Sequence, residues 1–407
     1  MTTPDAAAPG SPAPAPTATS TPGTPAPGTA SPAPASPDPA SPGPAWPPAQ
    51  PPAGWGAQPP AGWGAPVPPP GWPAPAASRP SRPLPADATA GGLAFHRLVF
   101  ARQRSGWWTP LVTGLVAVAF YAVLVVILMI GFVVVALNDP SVAERFLALG
   151  TDAPRFDVTD PVLMSVLLLS IVLMLPAYVL ASLVINGRKL GFISSAAGRL
   201  RWGWMLLCTA AAVAVGLVLS AATLLLPADP SEAGEVVDPA ANPALWASFA
   251  VLLILVPLQS AAEEYIFRGY LMQAIGRWLR HPAFAILLPV PLFVLGHLYD
   301  PLGQVSVGVF AVAAGWLTWR TGGLEAAIGI HVVNNLMAFM LALAGLADVN
   351  ATSPGWVSFL HSALLIGLYC LAVEWLFRRR RIGRTVIVTP AVAPPHGAVM
   401  GGAPALS

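Results

Sequence analysis

The chain has 407 residues, of which 55% are hydrophobic and only 9% are charged, and its formal net charge is +2. Soluble domains carry about 25% charged residues, so this composition argues against a single water-soluble globule. The near-neutral charge provides no large basic face, which excludes the nucleic-acid-binding class.

Residues 1–90 hold 29 of the 48 prolines and predict a disordered tail rich in Pro, Ala and Gly. Such a composition buries too little apolar surface to offset the entropy of ordering. A weak repeat places PPAGWGA at 51–57 and 59–65, followed by PPPGWPA at 68–74. We favour a low-complexity linker; the alternative is a ligand for a Pro-recognising partner.

Residues 91–385 predict an all-α polytopic membrane domain with about eight transmembrane helices, because a membrane helix needs about 20 apolar residues. One such run would also suit a buried soluble bundle, but a series of them makes that alternative weak. A short C-terminal tail follows over 386–407. The candidate spans are 109–137, 161–185, 204–226, 245–270, 283–299, 302–319, 323–346 and 355–377.

The connections between these spans alternate between basic and acidic. The basic ones precede the first span, separate spans two and three, four and five, and six and seven, and follow span eight. By the positive-inside rule, both termini are cytoplasmic. Lys189 is the only lysine, and this arginine preference with the Ala, Pro and Gly bias favours a bacterial plasma-membrane protein.

Ionisable side chains inside the spans are expensive in hydrocarbon and mark a candidate site. Glu264 and Arg268 are i and i+4 on span four, acid before base, the better orientation for an ion pair. Glu263 is rotated by about 100° from Glu264 on the helix and has no such partner. An unpaired carboxylate in an apolar setting is suited to act as a general base or acid. A structural ion-pair cluster is the alternative. Glu325 and Glu374 lie near span ends and are expected to reach the headgroups.

Two histidines and an asparagine extend this candidate site. His297 ends span five, while His331 and Asn335 are i and i+4 and share one face of span seven. An imidazole and an amide one turn apart can orient water and donate to a developing oxyanion. Either histidine alone is more often structural, but with the acids they indicate a site.

Three motifs in order on successive membrane helices resemble the CPBP family. They are EExxxR at Glu263–Arg268, FxxxH at Phe293–His297 and HxxxN at His331–Asn335. This family comprises type II CAAX prenyl endopeptidases and bacteriocin-processing enzymes. The resemblance covers roughly residues 160–380, with its protease-like core at 245–345.

The resemblance implies an eight-helix, glutamate-dependent intramembrane endopeptidase acting on a membrane-associated peptide or protein. Glu263 would activate the attacking water, helped by His297. A zinc-bound water is the alternative, with Glu263, His297 and His331 as candidate ligands, since a carboxylate and two imidazoles are a plausible zinc set. The chain has no HExxH motif, and we favour direct activation by Glu and His.

The same resemblance implies that Glu264 and Arg268 hold the local geometry and that His331 and Asn335 stabilise the oxyanion. A competing hypothesis is a non-catalytic scaffold or a bacteriocin-immunity-type protein of the same fold. A proton-coupled transporter is less favoured because no inverted repeat is visible. If the chain is bacterial, CAAX cleavage itself is less favoured, because prenylated substrates would be absent.

The depth of the site poses a geometric difficulty. Glu264 lies ~28 Å along span four at 1.5 Å per residue, whereas His297 lies at the opposite end of span five. The two can meet only if span four is long or tilted, with a continuation over 271–279, or if Pro289 and Pro291 break span five. We expect a water-filled cavity where these helices meet.

Overall fold

The computed structural model of the chain describes residues 84–148, 157–187, 189–223, 225, 238–348 and 355–389. Most of the predicted tail, with its tryptophan repeat, and the last 18 residues lie outside this part. In chain order the α-helices are α1 (Ala86–Ala90), α2 (Thr109–Asn138), α3 (Pro140–Ala148), α4 (Pro161–Val172), α5 (Met174–Asn186), α6 (Trp202–Thr223), α7 (Leu245–Glu264), α8 (Met272–Trp278), α9 (Pro282–Leu287), α10 (Val290–Leu295), α11 (Pro301–Thr321), α12 (Glu325–Leu343) and α13 (Trp356–Arg380).

Seven helical stretches within the described residues are long and apolar enough to cross a membrane. This confirms the all-α membrane architecture and seven of the eight predicted spans. The stretches are α2, α4 with α5, α6, α7 through α8, α11, α12 and α13. Their outward faces carry large apolar side chains, as lipid contact requires.

The predicted fifth span, 283–299, is not a continuous helix. It is replaced by the short helices α9 and α10, which together cover only Pro282–Leu295. The break falls at Leu288 and Pro289, where Pro289 and Pro291 remove backbone N–H groups from the helical ladder. Near the end of the segment Phe293 is buried, whereas Leu292 and Leu295 are exposed.

Span four is longer than predicted and runs without a break from Leu245 to Trp278. Between α7 and α8 the backbone forms a π-helix over Tyr265–Leu271. Such widened turns occur often at functional sites, and this one begins directly after Glu264. The expected continuation beyond residue 270 is therefore present.

Helix α12 is the central helix of the domain. It packs against α6, α7, α11 and α13, and 56% of its most apolar stretch is buried, the highest share of the seven. One apolar cluster joins it to α6 and α13 around Trp204, Ile330 and Tyr369. A second joins it to α4 and α7 around Leu252 and Phe339. The central position fixes the side chains of α12 from several directions.

The segment 84–102, which we call the N-terminal cap, is folded against one end of the bundle. It contains α1, strand β1 (Leu93–Ala94) and a 3₁₀ helix over Phe95–Ala101 that packs on α8. Strand β1 pairs antiparallel with β2 (Thr385–Val386). The cap begins within the predicted tail and β2 reaches the first residue of the predicted C-terminal tail, while the domain boundaries at 90 and 386 stay predictions.

The cap is held by polar contacts and by an apolar cluster. Arg97 pairs with Asp87 at 3.0 Å, and the buried His96 donates from Nε2 to the carbonyl of Arg280 at 2.9 Å. The apolar cluster reaches Tyr265 on the π-helix and Val332 on α12. The cap therefore supports the two helices that carry the candidate site.

Two acids expected at the headgroups are instead paired within the protein. Glu325 is fully buried, and Arg201 donates to both of its carboxylate oxygens at 2.8 and 2.7 Å. Glu374 accepts from Arg320 at 2.7 Å and from Arg378 at 2.6 Å. Burial without pairing would be costly for a carboxylate, so the arginines on neighbouring elements explain why these acids remain inside.

Candidate active site

The two adjacent glutamates at the end of α7 have different surroundings. Glu264 is fully buried, and its Oε1 accepts from Nη1 of Arg268 at 2.8 Å and from Nδ1 of His331 at 2.7 Å. The predicted i, i+4 pair between Glu264 and Arg268 is thus formed. The carboxylate joins the π-helix to α12 through one oxygen.

Glu263 is the more accessible acid, with 13% of its side chain exposed. Its Oε1 accepts from Nε2 of Gln259 at 2.6 Å. Its Oε2 is buried without a hydrogen-bond partner and lies 3.5 Å from Nε2 of His331, longer than a direct hydrogen bond. Among the described residues, this oxygen therefore has no hydrogen-bond partner.

His331 is placed between the two glutamates. Because its Nδ1 donates to Glu264, Nε2 is the ring nitrogen that faces Glu263. A carboxylate that fixes one ring nitrogen determines which tautomer and orientation the other nitrogen has. The sequence reasoning paired His331 with Asn335 only and did not predict its contact with both acids.

Gln259 is a site residue that the sequence reasoning missed. It is buried in α7, it donates to Glu263, and its Oε1 accepts from Nδ2 of Asn335 at 3.2 Å. Asn335 in turn accepts from Nδ2 of Asn334 at 3.2 Å. Gln259 is uncharged, so a pattern of ionisable groups does not include it. The signal is its position one turn before Glu263 in an apolar helix.

Arg268 is enclosed by aromatic rings and backbone. Its Cζ lies 4.6 Å from the ring centroid of Phe293 and 5.9 Å from that of Phe310, which are cation–π distances. Its Nη2 donates to the carbonyl of Ala311 at 3.1 Å. The guanidinium therefore ties the π-helix to α10 and α11 as well as to Glu264.

His297 lies just beyond α10, next to the aromatic part of the site. Its ring centroid is 4.8 Å from that of Phe293, whose ring is also 6.1 Å from His331. Its Nδ1 donates to the carbonyl of Phe293 at 2.8 Å, which leaves Nε2 for other partners. The ring of Phe293 thus lies beside both imidazoles, and the expected approach of His297 to the glutamates stays a prediction.

The candidate zinc ligands Glu263, His297 and His331 do not form a metal-binding group in this conformation. Among the described residues, no three His, Cys, Asp or Glu side chains are close enough to hold a metal ion. The orphan oxygen of Glu263 faces one imidazole, and the other imidazole contacts Phe293. The donor set therefore does not fit a zinc site as it stands.

A small recess lies at the break between α9 and α10. Arg268 and Phe293 line it from the site, and Pro289 and Gly315 lie on its other walls. Glu263 is not part of its lining. The expected water-filled cavity at the two glutamates thus remains a prediction.

Comparisons with known proteins agree with the location of this site. Residues 243–337 match the family described as type II CAAX prenyl endopeptidase Rce1-like. This range contains all three motifs and Gln259. An uncharacterized protein of Bacillus subtilis (strain 168), YyaK, is 34% identical over 131 residues, which cover 28% of this chain and 44% of that relative.

The chain thus spans less than half of that relative, and no solved structure matches it. The match over 243–337 comprises the helices α7 to α12 that hold every residue of the candidate site. This part of the chain is similar to the type II CAAX prenyl endopeptidase Rce1-like family.

Proposed function

We propose that the chain is an intramembrane endopeptidase that hydrolyses a peptide bond of a membrane-associated peptide or protein. The observation that carries the proposal is the difference between two adjacent acids. Glu264 is fully buried and ion-paired with Arg268, whereas Glu263 is partly exposed and accepts from the neutral amide of Gln259. Oε2 of each acid lacks a hydrogen-bond partner. Different environments give paired carboxylates different roles in catalysis.

Glu263 acts as the general base in this proposal. A water that donates one hydrogen to Oε2 of Glu263 keeps its second hydrogen for another acceptor. Glu263 takes the water proton as the oxygen attacks the scissile carbonyl. His297, whose Nδ1 is fixed by the Phe293 carbonyl, presents Nε2 as a second acceptor for that water.

His331 and Asn335 stabilise the oxyanion that forms on the carbonyl oxygen. In this proposal His331 carries a proton on each ring nitrogen throughout the step: Nδ1 donates to Glu264 and Nε2 donates to the oxyanion. Asn335 uses one hydrogen of Nδ2 for Gln259 and retains a second for the oxyanion. Proton return to the leaving amine completes hydrolysis.

The protein acts at the plasma membrane with both termini in the cytoplasm. The alternating charges of the connections support this orientation. The site lies toward the end of the bundle that carries the N-terminal cap, since the apolar cluster of the cap contains neighbours of Glu264 and His331. The substrate bond is therefore cut near the cytoplasmic side.

The test compares membranes from cells that express the wild type, Glu263→Gln or Glu144→Gln. Glu144 is exposed on α3, so its variant is a matched control for the loss of one carboxylate. We expect peptide termini that are present with the wild type and with Glu144→Gln and absent with Glu263→Gln. Identical termini in all three samples, at equal expression, would favour the scaffold hypothesis.

A further inference from the structure

A buried arginine outside the candidate active site has no counter-ion. Arg102 ends the N-terminal cap and is only 8% exposed. Its Nη2 donates to Tyr178 at 3.2 Å and to Oε1 of Gln273 at 2.5 Å. No carboxylate lies within ion-pair distance of Arg102 among the described residues. A buried charge without a counter-charge is expensive.

Its neutral partners are themselves oriented by other bonds. Gln273 donates from Nε2 to the carbonyl of Phe192 at 2.9 Å, so its oxygen must face Arg102. Tyr178 donates to the carbonyl of Gly269 at 3.3 Å. Neither partner can supply negative charge, and Nε of Arg102 remains buried without a hydrogen-bond partner.

Arg102 lines a shallow recess that is partly open to the surroundings. Asn186, which is 2% exposed, lines the same recess, and its Oδ1 also lacks a partner. The amide of Asn186 can rotate to present Nδ2, since oxygen and nitrogen have nearly the same shape and no bond holds the present orientation. The enclosed part of the recess is little larger than a water molecule, so it admits a single oxygen of a larger group.

The start of α2 adds positive potential to this recess. Thr109, Pro110 and Thr113 from its first two turns form part of the wall. No side chain caps this end of the 30-residue helix, so the positive end of the helix dipole lies at the wall of the recess. The N–H of Thr109 is bonded to the carbonyl of Gly106 and Pro110 has no N–H, so these two residues contribute the dipole and not free donors. The exposed Trp107 and Trp108 just before the helix are typical of the headgroup level.

We propose that this recess binds a phosphate group, whose oxygen enters between Arg102 and the start of α2 and supplies the missing negative charge. The phosphate can come from a membrane-lipid headgroup or from free phosphate. The position at the first turn of a membrane span favours the lipid, because basic pockets between such helices bind anionic headgroups. The site is separate from the two glutamates and does not depend on the proposed protease activity.

The test uses the full chain purified in detergent and stripped of lipid. Phosphatidylglycerol, inorganic phosphate and a phosphate-free galactosyl diacylglycerol are added separately, and binding is followed by native mass spectrometry and by the unfolding temperature. We expect phosphatidylglycerol to bind and to raise the unfolding temperature, and the phosphate-free lipid to do neither. Binding of inorganic phosphate alone would assign the site to a free anion.

Arg102→Gln should weaken phosphate-group binding by roughly 10- to 100-fold, the loss expected for one charge-assisted hydrogen bond. Arg104→Gln removes an exposed arginine two residues away and should bind like the wild type. Equal binding by the Arg102 and Arg104 variants, or equal binding of both lipids by the wild type, would overturn the proposal.

A second variant covers the case in which Arg102→Gln does not fold. Asn186→Asp places a carboxylate in the recess and supplies an internal counter-ion to Arg102. It should raise the unfolding temperature of the lipid-stripped protein and abolish stabilisation by phosphatidylglycerol. An undiminished response to phosphatidylglycerol in this variant would contradict the proposal.

Discussion

Replacing Glu264 by glutamine tests the division of roles between the two adjacent glutamates. The change keeps the shape of the side chain and removes its charge. It leaves Arg268, which is 3% exposed, as a buried cation with no carboxylate partner. The amide also cannot accept from Arg268 and His331 through one charged oxygen as the carboxylate does.

The expected loss of stability follows from this burial. Breaking a buried ion pair by removing one partner costs about 3–5 kcal/mol, because the other charge stays uncompensated. The same change at Glu263 should cost below about 1 kcal/mol, since its main contact is one neutral hydrogen bond from Gln259 and an amide oxygen can still accept it. The loss in free energy of unfolding is therefore expected to be several-fold larger for Glu264→Gln than for Glu263→Gln.

The assay is reversible unfolding in mixed micelles, followed by tryptophan fluorescence, with the wild type, Glu263→Gln and Glu264→Gln side by side. The double variant Glu264→Gln with Arg268→Met should recover part of the lost free energy, because it removes the orphan charge. Equal free energies of unfolding for the two single variants would refute the proposed division of roles. A double variant with a lower free energy of unfolding than Glu264→Gln would also refute it, because the loss of Arg268 would then add its own cost and not relieve an unpaired charge.

Three further changes test other parts of the structure. Gln259→Leu should lower kcat by about 10- to 100-fold with little change in KM, because it releases Oε1 of Glu263 from its fixed orientation; product formation in membranes measures this, and an unchanged kcat would contradict it. Glu325→Leu should destabilise the protein by about 3–5 kcal/mol, because it leaves Arg201 without its carboxylate partner. A midpoint denaturant concentration of unfolding equal to that of the wild type would argue against this. Burial lowers the pKa of His96 in the cap. The folded protein therefore gains stability from the neutral imidazole at a pH above the unfolded-state pKa, and it loses this contribution as the pH falls through the folded-state pKa. Between about pH 7 and 5, the unfolding temperature of the wild type should drop more than that of His96→Gln.

The membrane architecture was readable from the sequence because lipid imposes a simple rule. Each span must be long and apolar, so seven of eight predicted spans correspond to helices. The fifth prediction was wrong because its apolar length was sufficient while Pro289 and Pro291 made a continuous helix unfavourable. Composition alone gave these prolines too little weight.

The contacts that cross long stretches of the chain were not readable. The cap is ordered because β1 pairs with β2, almost 300 residues later, whereas the local composition of 84–90 resembles the tail before it. Glu325 appeared to be a headgroup-facing acid because Arg201, its partner, lies 124 residues away in sequence. Tertiary pairing decided both outcomes against local propensity.

The candidate site was partly predictable from spacing. Helical geometry alone gives the Glu264–Arg268 pair. The placement of His331 between both acids depends on how α12 packs against α7, which spacing within one helix cannot specify. Gln259 was missed because its importance lies in the hydrogen bonds of a neutral amide.

The most direct test of the central claim is hydrolysis by the purified chain in H₂¹⁸O. A peptide product identified from the membrane comparison is regenerated in liposomes from its precursor, and the mass of its new carboxyl terminus is measured. The account predicts one ¹⁸O atom in that carboxyl group with the wild type and no product with Glu263→Gln. Product formation at the wild-type rate by Glu263→Gln, or no cleavage by the wild type, would contradict it.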